Sequence, residues 1–318
     1  MRGLKKLFYN LTMSKKVIDM INDNKILTAK LLIQTMKSFG NASSRDVEFK
    51  VFSQFGDDGI IQYLINNIDV GSETFVEFGV ENYLEANTRF LLINNNWRGL
   101  VIDGNREDVE YIKNDEIYWR YDLTAVNSFI TSDNINHLLA DHGFSGELGI
   151  LSIDIDGNDY WVWQSIQEVS PAIVIIEYNS VFGPDHAITV PYTPEFQRTL
   201  AHYSNLYWGS SLKALTSLAQ EKNYFFWGCN SNGNNAYFIR QDKIGSFKVS
   251  TPELGFVDSR FRESRNRHGQ LTFLRGTERL KIIGDMPVFD IEKRKIVKIK
   301  DLFKLTDNSS GLRLESSI

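Results

Sequence analysis

The chain has 318 residues, 42% of them hydrophobic and 24% charged, which suits one elaborated domain with a sizeable core. A net charge of −5 argues against a general nucleic-acid binder, and the single cysteine, Cys229, excludes an intramolecular disulfide and a four-cysteine zinc site. That cysteine usage fits a reducing, cytoplasmic setting, and no apolar run approaches the roughly 18 residues a membrane-spanning helix needs.

Residues 1–45 read as a helical extension, because Val17, Met20, Ile21, Ile26, Leu31, Leu32 and Met36 recur at helical spacing. Arg2, Lys5, Lys6, Lys15 and Lys16 make its start basic, but Leu4 to Met13 is broken by polar residues and lacks a signal-peptide core. It reads as a solvated helix end, with an anionic membrane surface as the alternative. Gly40 to Ser44 is a linker. In FKVFSQFGDDGIIQYLINNI, Asp57 or Asp58 caps a helix with Ile60, Ile61, Leu64 and Ile65 on its apolar face.

Thr74 to Asn105 organises the rest. A short strand, Phe75-Val76, runs into Glu77 and Gly79; a helix-like segment carries Phe90, Leu91 and Leu92; a second strand, Leu100 to Ile102, ends in Asp103. This is the pattern of a nucleotide-binding crossover. The alternation continues with a helix over 107–114, a third strand from Ile117 to Leu123 ending near Asp122, and a helix over 134–142. Then come a strand from Leu148 to Ile155 interrupted by Asp154, a helix over 160–166, and a fifth strand, Ala172 to Ile176, reaching Glu177. Near-continuous apolar strands of this kind are buried on both faces, which predicts a parallel sheet between helices. NSVFGPDHAITVPYTPEF, with three prolines, is a long loop. A helix over 210–222 and a hairpin of Tyr224–Cys229 with Ala236–Arg240 follow. The expected fold is α/β: a doubly wound, mostly parallel seven-stranded sheet with an antiparallel C-terminal hairpin, over residues 46–245. Residues 246–318 form an Arg-rich extension.

The turn Glu77 to Asn82 has one glycine and two acids. A dinucleotide needs several glycines there so that backbone can approach its pyrophosphate, which disfavours a nicotinamide-dependent oxidoreductase. S-adenosylmethionine has no phosphate and carries a sulfonium and an ammonium, so acids suit it. Asp103 is placed to accept hydrogen bonds from both ribose hydroxyls, and Asp122 to meet the adenine amino group. Ser53, Gln54 and Asp57 precede the first strand, where a loop can fold over the methionine end; helix capping is the other reading of Asp57. Asn87 and Thr88 either cap the first long helix or touch the cofactor carboxylate.

The run Asp154 to Asp159 is the densest cluster of oxygen ligands, at the end of a buried strand where open α/β sheets bind ligands. With Glu177 and Asn179, Asp154 and Asp156 form a candidate site for Mg²⁺ or another divalent ion. Alternatively, Asp154 holds the cofactor ammonium while Asp156 caps a helix. The proton of an acceptor hydroxyl would leave to His186 in the long loop, or through a metal bridging Asp154 and Glu177; His202 is the second histidine candidate. Tyr178, Tyr192, Trp161 and Trp163 are candidate walls of the acceptor pocket. The arginines from 260 to 267 read as a solvated face, an oligomer contact, or a binder of an acidic or phosphorylated acceptor.

The order E-F-G, A-N-T, N-W-R-G-L-V-I-D-G resembles the FkbM-like S-adenosylmethionine-dependent methyltransferases. FSQFGDDGI, LSIDIDGNDYWVW, VIIEYNS, VPYTPEF and GSSLKALTSLAQEKNYFFWGCNSNGNNAYFIR are similar too. The resemblance covers roughly Phe49 to Asp242, and FRESRNRHGQLTFL looks like a tail of one branch. It implies methyl transfer, usually to a hydroxyl of a sugar or secondary metabolite. The first turn departs from the common glycine-rich version, with Glu81 and Tyr83. A non-catalytic binding or assembly protein that keeps the fold is the alternative from a different class.

Overall fold

The computed structural model describes residues 2–305. Ten strands appear in chain order: β1 (Thr74–Phe78), β2 (Arg98–Asp103), β3 (Leu123–Asn127), β4 (Gly146–Ile153), β5 (Val169–Glu177), β6 (Ile188–Thr189), β7 (Tyr224–Cys229), β8 (Asn235–Arg240), β9 (Pro287–Asp290) and β10 (Lys295–Lys298). Seven of them form the main sheet in the order β3-β2-β1-β4-β5-β8-β7. The first five run parallel, β8 runs antiparallel to β5, and β7, antiparallel to β8, runs again in the direction of the first five, which is the doubly wound sheet expected. The order turns back at β1 and β4, so the crevice beyond their carboxyl ends is where such a sheet binds ligands. Burial matches the strand sequences: in β5, every residue from Pro171 to Glu177 is buried.

Apolar clusters cover both faces. Val76, Leu151 and Val174 point into one, with Trp163 and the Leu212–Glu221 helix; Phe75, Ile150 and Ile173 point into the other, with Ile60, Leu64 and Leu92. Neighbouring positions along each strand take opposite faces, as the pleat requires.

Three segments differ from expectation. The apolar run starting at Ile117 is helical, Glu116–Arg120, because Asp115 accepts the Ile117 N–H and caps a turn there. The third strand is therefore Leu123–Asn127, and Asp122 stands before it rather than at its end. The crossover between β1 and β2 contains only a short helical stretch ending in a wide π-type turn, Leu91–Asn95, which Asn96 closes in the left-handed conformation. The C-terminal extension folds: β9 and β10 pair, and β9 pairs with β6 from the long loop. Val181, Ile188, Leu206 and Tyr207 share an apolar cluster with Leu280, Ile283, Val288 and Ile299. Two segments far apart in sequence thus build one roof.

The N-terminal helix, Arg2–Met36, is continuous over 35 residues. Its later half buries Ala29 and Met36, with Ile26 and Ile33 packed beside them, against Val51, Phe52 and Phe90. No helix among the described residues is long and apolar enough to cross a membrane.

Candidate functional site

A cavity of about 550 Å³ opens at the carboxyl ends of β1, β2, β4 and β5, beneath the roof. Eight carboxylates and two arginines, Arg198 and Arg279, are among its lining residues, and no lysine or histidine is. Such a surface repels a pyrophosphate and favours a ligand with positive charge.

On the β1–β2 side Glu77 and Asp103 hold backbone. Glu77 accepts the Asn87 N–H at 2.9 Å, the Thr88 N–H at 3.0 Å and the Thr88 hydroxyl at 2.5 Å. Burial pushes its carboxyl above the usual range, and these bonds pull against that. Asp103 accepts the Glu81 N–H at 2.8 Å and the Asn105 N–H at 2.7 Å while lining the cavity. A carboxylate offers about four lone-pair directions, so Asp103 keeps capacity for a ligand. Gly79 has φ +70°, and a Cβ there would lie 1.6 Å from the Asp154 carbonyl oxygen, so β1 and β4 approach only through glycine. Glu81 and Tyr83 also have positive φ, 47° and 61°. The turn keeps its left-handed positions without glycine: Asp103 grips the Glu81 amide, and Tyr83 is fully buried with its hydroxyl 2.9 Å from that of Thr88.

The candidates before β1 divide. Gln54 lines the cavity. Ser53 is buried in a reciprocal pair with Asp58, whose Oδ2 also accepts the N–H groups of Val51, Phe52 and Ser53 at 2.7–2.8 Å. Asp57 is neither a cap nor a cavity residue. It is buried against the β7–β8 turn, accepting from Asn230, Asn235 and the Tyr237 hydroxyl. Asn87 lines the cavity and Thr88, its hydroxyl spent on Glu77, does not. Asp122 lies 4.0 Å from Arg98 at the amino end of β3, remote from the cavity. Ser128 and Phe129, just past the carboxyl end of β3, line the cavity in its place.

On the β4–β5 side the carboxylates face one another. Oxygens of Asp154, Asp156 and Glu177 lie within 4.8 Å of each other. Burial first, then the charge of Asp156 beside Asp154 and of Asp154 beside Glu177, holds both carboxyls well above the ordinary range. Glu177 Oε2 is buried with no hydrogen-bond partner. Asp159 shapes the loop by accepting the Ile155 and Gly157 N–H groups, both at 2.9 Å, and so presents Asp156 at φ +56°. Arg198 reaches Asp156 at 2.8 Å, donates to the Asn205 carbonyl at 3.1 Å and stacks on Trp208 at 4.7 Å. A Cβ at Gly157 would sit 2.1 Å from Phe196, so the loop and the roof touch there.

Asn179 is not available as a metal ligand. Its amide donates to the Leu206 and Trp208 carbonyls and its oxygen accepts the Val181 N–H, which ties β5 to the roof. His186 is outside the cavity, with its ring edge-on to Phe303 at 4.8 Å, and His202 pairs with Ser204. Of the four aromatic candidates only Tyr178 lines the cavity; Trp163 is core, and Trp161 packs against Tyr192 and Phe289. Arg260, Arg262, Arg265 and Arg267 do not line it either; Arg267 stacks on Tyr203 and Arg265 pairs with Glu263. Among the lining residues that sequence reasoning passed over are Phe196, Arg198, Trp208 and Phe261. Arg198 closely follows the VPYTPEF segment, but its pairing with Asp156 spans 42 residues and no local pattern announces it.

No protein-family model matches the chain, and no curated protein does. Solved structures resemble it weakly. TrmK of M. capricolum, in complex with S-adenosyl-homocysteine, is 12% identical at TM-score 0.35, covering 57% of this chain and 66% of its own. DszA carbon methyltransferase is 14% identical at 0.37, covering 60% and 54%. An O-methyltransferase from Bacillus cereus, in complex with S-adenosyl-homocysteine, is 10% identical at 0.37, covering 67% and 89%. The chain thus spans less than two thirds of the length of the first two.

Proposed function

We propose that the chain is an S-adenosylmethionine-dependent O-methyltransferase of the FkbM-like kind, acting on a hydroxyl of a sugar or another polyhydroxylated acceptor. One observation carries the reading. The methyltransferase strand order ends in a cavity whose two halves carry different acids: a ribose-type carboxylate, Asp103, after β2 and, after β4 and β5, a carboxylate cluster in which Glu177 Oε2 has no partner. The residues fit the cofactor, because the cavity is acidic and its volume lies within the ~300–1,000 Å³ of small-molecule sites. When bound, S-adenosylmethionine supplies an electrophilic methyl group.

The chain's residues do the rest. Asp103 and Gln54 orient the donor, and the roof residues Phe196, Leu206 and Trp208 exclude water from the acceptor side. Glu177 Oε2, buried and without a partner, takes the proton of the acceptor hydroxyl. Arg198 balances the charge that accumulates on Asp156 and Glu177. The triad Asp154, Asp156 and Glu177 also fits a hard divalent cation, with Glu177 Oε2 as an unspent ligand. Such an ion, when bound, acidifies a ligated hydroxyl.

Isothermal calorimetry with S-adenosylmethionine tests the reading. Wild type should bind and Asp103→Ala should bind more weakly; absence of binding to wild type would sink it.

A further inference from the structure

The N-terminal helix has a second face that nothing in the described residues covers. Successive residues turn by about 100° around an α-helix, so Ile26, Ala29, Ile33 and Met36 define one side, which packs on the body. Lys15, bridged to Glu116 at 3.3 Å, and Lys25, bonded to the Val51 carbonyl at 3.4 Å, lie on that same side. Directly opposite, Met13, Val17, Met20, Asn24, Leu27 and Leu31 repeat at intervals of four, three, four, three and four residues. The five apolar members are 42–71% exposed. Ile18, Ile21 and Leu32, 40–56% exposed, lie beside this row. A soluble surface rarely leaves so much apolar helix in water, and the alternation of threes and fours within it is the pattern of a coiled coil.

We propose that this seam joins two copies of the chain as a parallel coiled coil related by a two-fold axis. Four observations identify the occupant as a second copy. First, the seam complements itself: Val17 and Leu31 take one set of core layers, Met13, Met20 and Leu27 the other, which puts β-branched Val17 and Leu27 in the positions that favour two strands. Second, the one polar layer, Asn24, meets Asn24 of the second copy in a parallel arrangement but would meet an apolar residue in an antiparallel one. A single asparagine of this kind sets register and strand number. Third, the flanking charges are compatible: Lys16, Asp23 and Lys30 would face Ile21, Thr28 and Thr35 of the second copy, so no like charges meet. Fourth, the seam lies opposite the packed side, so the two bodies sit on opposite sides of the coil and do not collide. The helix is already folded on its own body, which removes the nucleation cost that makes a short isolated coil marginal. An amphipathic membrane helix is the competing occupant: Lys15 and Lys25 turn to the body while Lys16 and Lys30 are exposed, and vesicle binding separates the two.

The test is the solution mass of the full chain by light scattering and sedimentation equilibrium. Wild type should weigh two chains, and Leu27→Glu/Leu31→Glu should weigh one, with an unchanged circular dichroism spectrum because neither side chain packs on its own body. Asn24→Cys should cross-link across the dimer on oxidation and Asp19→Cys, off the seam, should not; the native Cys229 is buried and silent. A monomeric wild type, or a dimer untouched by the two glutamates, overturns the proposal. So does a wild type that binds phosphatidylserine vesicles as a monomer, which assigns the face to a membrane. Cross-linking of a Val17→Cys chain with a Leu31→Cys chain in place of Asn24→Cys overturns the parallel register.

Discussion

The two halves of the cavity use the same residue type in opposite ways. After β1 and β2, Glu77 and Asp103 spend much of their acceptor capacity on backbone N–H groups, and so does Asp58 in the neighbouring loop. These acids behave as fasteners, fixing the loops a donor would rest on. After β4 and β5, Asp154 and Glu177 accept no backbone N–H group among the bonds described, and Glu177 keeps a bare oxygen in a buried place. A carboxylate left in that condition is costly to folding, which is typical of groups retained for chemistry or for an ion.

Substitutions can break this contrast. The largest effect is expected for Glu177→Gln: loss of methyl transfer from labelled cofactor to a polyol acceptor panel by about 10²–10⁴-fold, the usual worth of a general base, with cofactor affinity nearly unchanged. An equal loss of cofactor affinity would move Glu177 into the donor half. Next, Asp57→Ala removes the acceptor of three buried donors and should lower the unfolding free energy by about 3 kcal/mol or more in urea titrations. Asp103→Ala should weaken cofactor binding in calorimetry by about 1.5–3 kcal/mol, the range of hydrogen bonds to a charged group. The smallest effect concerns pH. Burial raises Asp58 and Asp159 from 3.8 to about 6, against the bonds they accept. An acid raised in the folded state holds its proton more tightly there than when unfolded. Its stabilising contribution is therefore whole below about pH 4 and is lost as pH climbs through about 6. Exposed acids with lowered values, such as Asp242, act only below that window. The urea midpoint should fall as pH rises from about 4 to about 6, and Asp159→Asn should flatten the slope.

The sheet is legible in the sequence because its strands are buried on both faces and so read as near-continuous apolar runs. Leu148 to Ile153 in β4, and Ile173 to Ile176 in β5, admit little else. Residues Ile117 to Trp119 look equally strand-like; only the cap on Asp115 tips them into a helix, and the displacement of Asp122 follows from that one hydrogen bond. In the site, positions just after a strand are readable, since topology brings Asp103, Asp154 and Glu177 to the same edge. What their side chains bond is not. Asn179 looks like a ligand until the Leu206 and Trp208 carbonyls arrive from the roof, and His186 looks like a base until Phe303 takes its ring away. The roof itself is hidden because β6 has two residues and Ile188 finds its partner, Asp290, only near the far end of the chain.

The turn after β1 holds Glu81 and Tyr83 where the backbone is left-handed. Each such non-glycine residue costs on the order of 1 kcal/mol, which the surrounding bonds must offset. Loop shape here is held by its clamps, Asp103 on the Glu81 amide and Thr88 on the Tyr83 hydroxyl, and not by glycines of its own. The path of the turn is thus set by Asp103 and Thr88, two residues that a motif centred on the turn does not read.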